Sequence, residues 1–568
     1  MWDWIIDTMR TYPSIPIFLT IGIGFWIGKL RYKTFSLGTV TSVLLVGVLV
    51  GQLDIPISGP LKSVFFLLFL FAIGFSVGPQ FFNAIKGSGI KQVIFAVVLC
   101  FLCLFVTWGC AKILHYDAGI AAGLFSGAQT ISAVIGVAGD VIPGMGYTKE
   151  KAAEMINILP VCYAVTYIYG TIGSAYILGN LGPAMLGGLA KVKAQTKAYE
   201  AEMNKSSVVT APGYIDANRP ITFRAYKVEG EWFDTPHTIA EAEEYMQNTL
   251  QRRVFVDRIR HAGQIVEPSP SAVIAKGDTI VLSGRREYVI EDESWVGQEV
   301  DDPELLNFPV EKIDIMVTRK GAAGMTVDSL RSQKYMYGVV ISSIQRGNVS
   351  IPVLAATKLL TGDIVTVSGL KSEVDAAAPY IGAADRPSEQ SNMILIGLGI
   401  CIGALIGALT LKIGHIPLSL STSGGALLSG LFCGWLRSRH PNLGGVPKEA
   451  IWVLDNLGLN MFIAVIGITA GPTFIAGIKS VGIMLFVAGI IATTVPLLLG
   501  LWIGDKIFKF HPAINLGCCA GGRTTTAALG AIQSSLDSSV PALGYTVTYA
   551  IGNTLLILMG VAIVLMCA

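Results

Sequence analysis

The segment GFSVGPQFFNAIKGSGI at 74–90 recurs without a gap as GITAGPTFIAGIKSVGI at 467–483. Eight of the 17 positions are identical: Gly74/Gly467, Gly78/Gly471, Pro79/Pro472, Phe81/Phe474, Ile85/Ile478, Lys86/Lys479, Gly89/Gly482 and Ile90/Ile483. Further matches follow in the same order. GLFSGAQTISAVIG (123–136) pairs with GCCAGGRTTTAALG (517–530), YAVTYIYG (163–170) with YTVTYAIG (545–552), and IGIGFWIG (21–28) with IGLGICIG (396–403). Chance likeness between apolar helices gives scattered Leu and Val matches, not ordered Gly-Pro-Phe-Lys patterns. The chain is a duplication, and any fold must place two copies of one unit.

Charge says what surrounds the copies. Only 14% of the 568 residues are charged, against about 25% in ordinary globular domains. Mean hydropathy is +0.60. Of 80 charged side chains, 51 lie between Lys191 and Gln390. The chain therefore reads as a membrane repeat (1–190), a soluble insert (191–390) and a second membrane repeat (391–568). The net charge of +2 leaves no basic footprint for nucleic acid. The N-terminus MWDWIIDTMRTYPSIP has neither a basic leader nor a small-residue cleavage site, so its apolar run is expected to be a retained span. All nine cysteines fall in the membrane blocks. Cys100 and Cys103 form a CxxC within a continuous apolar run, where cysteine acts as a small hydrophobe.

Apolar runs long enough for roughly 30 Å of hydrocarbon stand near 14–31, 36–53, 62–80, 91–114 and 155–180, and near 392–411, 417–436, 450–471, 481–503 and 541–566. Segments 118–140 and 511–535 are apolar but rich in Gly, Ser and Thr, and are expected as re-entrant or broken helices. With the N-terminus outside, Lys29, Arg31, Lys33, Lys86 and Lys91 fall inside. So do the insert and Arg437, Arg439, Lys448, Lys506 and Lys509, with Lys412 and Lys479 outside. Both termini are then external and the insert cytoplasmic. Five spans per unit is an odd number, so the second copy is inverted. The fold class is an α-helical polytopic membrane protein, an inverted repeat with one broken helix per half and an inserted soluble α/β pair. Inverted repeats with Gly/Pro-interrupted helices are the mark of a secondary transporter, with the substrate near the midplane.

The two Gly-Ser/Thr segments are the candidate substrate site. Arg523 sits in GGRTTTAALG, deep in a block almost free of charge. An intramembrane arginine is costly and marks a functional site by default, and its planar fork suits a carboxylate. Thr524, Thr525 and Thr526 add hydroxyls beside it; the first copy offers Ser126, Gln129, Thr130 and Ser132. The open alternative is that Arg523 snorkels or pairs with Asp505 or Asp537. Asp455, beside Asn456, would take an ammonium or coupling ion, or lie at the interface. Gly74, Gly78, Pro79, Gly467, Gly471 and Pro472 are expected to break or kink the third span of each unit and serve gating; close packing through small residues is compatible with this. Tyr163, Thr166, Tyr545 and Thr548 line the expected path or pack beside it.

GFSVG fits a nucleophile-elbow pattern but lies in an apolar span, and its repeat carries GITAG, which argues against a hydrolase. No phosphate-binding Gly-x4-Gly-Lys-Ser/Thr occurs, against an ATP-driven pump. The histidines show no metal-ligand spacing. Neither metal nor cofactor is expected.

The insert repeats as well. IVEPSPSAVIAKGDTIVLSGRREYV (265–289) is similar to VSIPVLAATKLLTGDIVTVSGLKSEV (349–374), with Gly277-Asp278 and Gly362-Asp363 in register. Two α/β units are expected, about 206–292 and 300–385. Their pattern resembles the TrkA_C (RCK_C) domain of potassium-channel and Trk-type subunits. That resemblance implies a regulatory ligand or dimerisation; the Gly-x-Gly-x-x-Gly half of such subunits is missing.

Membrane repeat, TrkA_C-like pair and second membrane repeat together resemble the aspartate:alanine exchanger family over essentially the whole chain. The carrying motifs are GFSVGPQFF/GITAGPTFI and SGAQTISAVIG/AGGRTTTAALG. The resemblance implies antiport of amino acids or dicarboxylates across a bacterial inner membrane, by a homodimer. In the named case aspartate enters and alanine leaves; related members export succinate. A cation channel or antiporter regulated by its TrkA_C-like domain is the reading from another class. Neither a carbonyl-ring filter sequence nor paired acids in the broken segments support it.

Overall fold

The computed structural model describes residues 2–30, 38–57, 59–86, 89–203, 221–249, 254–266, 269, 271–285, 289, 295–307, 310–336, 338–347, 349–385, 391–413, 416–419, 421–439 and 446–568. Arg31 and Lys33 of the charge-bias argument lie outside these residues, as do 206–220 of the first insert unit. The chain divides into two compact units. One comprises Met1–Tyr199, Arg346–Ile351 and Pro387–Ala568; the other comprises Glu200–Gln345 and Pro352–Arg386.

In the membrane unit, the first repeat runs α1 (Trp2–Thr11), α2 (Ser14–Lys29), α3 (Thr39–Gly51), α4 (Gly59–Lys86) and α5 (Ile90–Ile113). A broken pair follows, α6 (Ala118–Ala128) and α7 (Ala133–Val141), then α8 (Lys149–Tyr176) and α9 (Leu189–Met203). Polar caps start the elements where apolar runs begin. Asp117 accepts from Ile120 N at 3.0 Å, and Thr148 from Lys151 N at 3.3 Å.

The insert comprises two units of like topology. The first holds β1 (Ile221–Lys227), β2 (His237–Thr238), α10 (Ile239–Asn248), β3 (Val254–His261), β4 (Gln264–Val266), β5 (Val273–Ile274), β6 (Thr279–Arg285) and β7 (Glu299–Val300). The second holds β8 (Val310–Val317), α11 (Val327–Arg331), β9 (Val340–Arg346), β10 (Val349–Ile351), β11 (Ile364–Leu370), α12 (Lys371–Ile381) and β12 (Gly382–Asp385). Four-strand cores run β3-β6-β1-β7 and β9-β11-β8-β12. The Gly-Asp turns match too: Asp278 accepts from Ala275 N at 2.9 Å, and Asp363 from Leu360 N at 2.8 Å. Gly277 and Gly362 supply the positive φ of 96° and 87°. A threonine caps the first helix of each unit, Thr238 for α10 and Thr326 for α11.

The second repeat runs α13 (Met393–Gly407), α14 (Ser421–Arg439), α15 (Lys448–Lys506), the broken pair α16 (Pro512–Gly522) and α17 (Thr526–Leu536), and α18 (Pro541–Met566). A helix thus stands at each of the ten expected span positions. Among the described residues six helices are long and apolar enough to cross a membrane, seven if the bent α1–α2 pair is one span. The shortfall has plain causes: α3 and α13 have 13 and 15 residues, and α14 is rich in Ser and Gly.

The expected break at the Gly-x-x-x-Gly-Pro motifs is corrected. Helix α4 passes through Gly74, Gly78 and Pro79, and α15 passes through Gly467, Gly471 and Pro472. The break in α15 falls later, at Gly482 with φ 67°, separating spans Glu449–Lys479 and Val481–Lys506. The glycines make close crossings between the repeats instead. Gly74 and Gly78 meet the backbone of α14 at Leu427 and Leu431, while Gly430 and Gly434 of α14 meet Phe71 and Phe75 of α4. The same crossing recurs with the copies exchanged. Gly467 and Gly471 of α15 meet Leu44 and Gly51 of α3, and Gly47 and Gly51 meet Ala464 and Ile468. Without side chains at these points the backbones approach closely. The two repeats are interlocked by two equivalent glycine crossings.

A Cβ on Gly471 would lie 2.7 Å from the Gly51 Cα, whereas one on Gly109 in α5 meets nothing within 4 Å. Gly471→Val is expected to lower the thermal midpoint of the purified protein sharply or abolish folded yield, while Gly109→Ala leaves it unchanged or slightly higher. Thermal unfolding in detergent checks both.

Candidate functional site

The two broken pairs carry the site. In each, a helix ends, one threonine takes the left-handed region, and a second helix begins. Thr130 has φ 57° and Thr524 has φ 55°. A β-branched residue there is strained by about 1–3 kcal/mol, and the same strain at both equivalent places marks a built feature. The closing hydrogen bonds match: Thr130 N to Gly127 O at 3.1 Å and Ile131 N to Ser126 O at 2.9 Å, against Thr524 N to Gly521 O at 2.8 Å and Thr525 N to Ala520 O at 3.1 Å. The N-caps of the second helices, Ser132 and Thr525, make no side-chain cap bond, so those helix starts keep their positive dipole ends.

Each pair leans on the span that follows through glycine. Gly127 packs on Tyr163 and Thr166, and Gly170 on the Gly127 carbonyl; equivalently, Gly521 packs on Tyr545 and Thr548, and Gly552 on the Gly522 carbonyl. The hydroxyls of Thr166 and Thr548 bond back to their own helices, at Cys162 O (2.7 Å) and Gly544 O (3.0 Å). Both threonines are fully buried, so here they pack rather than line an open path. Tyr163 bonds Ser132 at 2.7 Å, whereas the equivalent Tyr545 hydroxyl is buried with no partner among the described residues.

Arg523 ties these parts together. Among the described residues it is the largest fully buried side chain, at 0% exposure. Its Nε donates to Gln129 Oε1 at 2.8 Å, and Nη1 donates to Ser174 Oγ at 2.9 Å and Thr493 O at 3.3 Å. Nη2 donates to the Ala128 carbonyl. Thr130 Oγ1 donates to the Arg523 carbonyl at 3.3 Å, Gln129 Nε2 to Ala492 O at 3.0 Å, and Thr493 Oγ1 to Ala128 O at 3.2 Å. The guanidinium thus fastens the tip of the second pair to the tip of the first, to α8 and to the second half of α15.

The snorkelling and acid-pair alternatives do not hold. The side chain is buried, Asp505 pairs with Lys506 at 2.8 Å, and Asp537 pairs with Lys193 at 3.7 Å. Among the described residues every partner of Arg523 is neutral. A buried cation without a counter-ion is expensive, and a carboxylate is the natural group to neutralise it.

The sequence-derived residues are gathered unevenly. Gln129, Thr130 and Arg523 meet directly; Thr525 is buried beside Arg523, and Thr524 Oγ1 is buried without a partner. Ser126 Oγ donates to Ile131 O at 2.9 Å and so closes the break rather than facing Arg523. Thr526 is exposed at the start of α17. Among the described residues neither Asp455 nor Asn456 bonds to Arg523; Asn456 Nδ2 donates to Trp452 O one turn back at 3.0 Å. Ser174, Thr493 and the Ala128 carbonyl were missed. Ser174 lies four residues past the matched Gly170, and Thr493 in an ATT stretch within an apolar span, so polar hydroxyls in otherwise greasy helices were the available signal.

Losing one acceptor leaves a buried charged donor unsatisfied, at a cost of about 1–3 kcal/mol. Ser174→Ala and Gln129→Leu are each expected to lower thermal stability by amounts in that range, with Ser132→Ala changing it less; thermal unfolding of the three variants measures this order.

Comparison with known proteins places this architecture. Residues 16–181 and 395–565 match the family described as Predicted Permease Membrane Region, and residues 313–382 match the TrkA-C domain. An uncharacterized transporter of Shewanella oneidensis is 42% identical over 567 residues, covering 99% of both chains. One of Zymomonas mobilis is 33% identical, covering 98% of each chain, and one of Bradyrhizobium diazoefficiens is 34% identical, covering 92% of this chain and 100% of its own. No solved structure matches.

Proposed function

The chain belongs to the Predicted Permease Membrane Region family, and we propose that it is a secondary active transporter, an electrogenic antiporter taking in aspartate against alanine. The observation that carries this reading is Arg523: fully buried, shared between the two broken pairs, and bonded only to neutral groups among the described residues. Such a site is charged and buried before substrate arrives. A carboxylate entering it neutralises the guanidinium and displaces Gln129 or Ser174 as its partner, which would loosen the fastening between the pairs. The helix starts at Ser132 and Thr525, and the unpartnered Thr524 hydroxyl, add donors for the second carboxylate. When alanine occupies the site it brings no side-chain carboxylate, so the exchange carries one net negative charge inward.

In this reading the insert is cytoplasmic, both termini are external, the membrane is a bacterial inner membrane and the protein is a homodimer whose insert takes a regulatory ligand. The Gly-x-x-x-Gly crossings are surfaces on which the repeats shift between inward- and outward-open states.

A second reading, export of a dicarboxylate such as succinate, is favoured by one feature. Among the described residues no acid bonds near Arg523 to receive an ammonium, Asp455 included. Counterflow in proteoliposomes separates the two. Labelled aspartate and alanine should both enter vesicles preloaded with aspartate, and an inside-positive potential should speed aspartate entry against alanine. Succinate entry alone gives the dicarboxylate reading, and no entry of any of the three overturns both. Arg523→Gln should abolish exchange in protein that still inserts and folds.

A further inference from the structure

The insert holds three carboxyl groups that transport does not use. Asp257 occupies a bulge of β3, where the register with β6 shifts between Val256 and Arg258. A bulge re-aims the side chain of its extra residue. Here Asp257 is 5% exposed, and its Oδ2 has no hydrogen-bond partner among the described residues. Glu243 of α10, 8% exposed, accepts from Val256 N at 3.0 Å, which fixes its carboxylate one residue from Asp257. The third group comes from the other unit. Glu373 stands in the first turn of α12, and its Oε2 is also buried without a partner. It lies against Gly338, whose φ of 68° turns the backbone there; a Cβ on Gly338 would overlap that oxygen.

The groups acting on Asp257 are Glu373, Glu243 and the Ser283 hydroxyl of β6; the charged group acting on Glu373 is Glu243. Among the described residues, the charged groups acting on Asp257 and Glu373 are acids. Among the described residues no three acids, histidines or cysteines stand close enough to share a metal ion, so a proton is the cation that fits. Burial first and the neighbouring acids second push Asp257 up to about 7 and Glu373 to about 7.

We infer that Glu243, Asp257 and Glu373 form a proton-operated joint between the two units of the insert, closed when a carboxyl is protonated and loosened when all are ionised. This goes beyond the transport reading and does not depend on its substrate. Both raised groups bind protons more tightly in the closed joint than in an open, solvated one. The closed form is therefore fully favoured below the ordinary carboxylate range. Its advantage is lost progressively as pH rises from there to about 7, and is flat above. A cell interior near neutrality sits at the foot of that slope, so modest acidification would tighten the insert.

Hydrogen exchange of the full-length protein tests this, comparing peptides over 254–261 and 371–381 with peptides over β1, each corrected for intrinsic exchange. Between about pH 8 and about pH 6 the joint peptides should gain protection, by up to about tenfold per carboxyl per pH unit, relative to β1. In D257N/E373Q, whose amides imitate the protonated groups, protection should be high at both ends. Glu373→Gln alone, at a half-buried position, should retain part of the slope and keeps the test open if the double variant does not fold. No differential protection in the natural protein, or an unchanged slope in the variants, overturns the inference.

Discussion

One buried positive charge organises the membrane unit. Arg523 gives hydrogen bonds to Gln129, Ser174, Thr493 and Ala128, groups drawn from both repeats and from three helices besides its own. Each bond to a charged donor contributes about 1.5–3 kcal/mol, yet together they spread the charge over dipoles and do not cancel it. The arrangement therefore holds only while the surrounding backbone presents its carbonyls inward, which requires the breaks at Thr130 and Thr524. Fold and site are one constraint: the strained breaks free the Ala128 carbonyl, and the arginine makes use of it.

The duplication explains how such a site is reached twice and charged once. Equivalent glycines set equivalent crossings, and equivalent threonines set equivalent breaks, so the two copies meet tip to tip. At the meeting point the copies diverge: glutamine in the first, arginine in the second. The same divergence appears around it. Tyr163 is satisfied by Ser132, whereas Tyr545, Thr546 and Asn553 of the second copy keep buried polar atoms without partners among the described residues. Buried polar atoms without partners among the described residues occur in both repeats, and Thr524, next to Arg523, is one of them.

Much of the fold was legible because its causes are local or repeated. Hydropathy runs gave the helix positions, Gly-Asp pairs gave the insert turns, and the ordered motif matches gave the duplication and the broken pairs. Gln129 and Arg523 were found as candidates because the repeat aligned them. The misreading of the Gly-x-x-x-Gly-Pro motif is instructive. A proline inside a span removes one hydrogen bond but does not stop a helix that is packed on both sides, while Gly482, with its positive φ, does the breaking. Ser174 and Thr493 stood out only as hydroxyl residues in greasy helices, and that signal does not say whether such a residue bonds its own helix or serves an arginine brought near by tertiary packing. Glu243, Asp257 and Glu373 escaped for the same reason, being brought together by tertiary packing.

The most direct test of the account is whether a carboxylate ligand uses the Arg523 charge. Thermal unfolding of the purified protein would be followed with saturating aspartate, alanine and succinate, for the natural chain and for Arg523→Gln. The account predicts that at least one carboxylate substrate raises the midpoint of the natural chain and that this rise disappears in the variant. An equal rise in both proteins would contradict it.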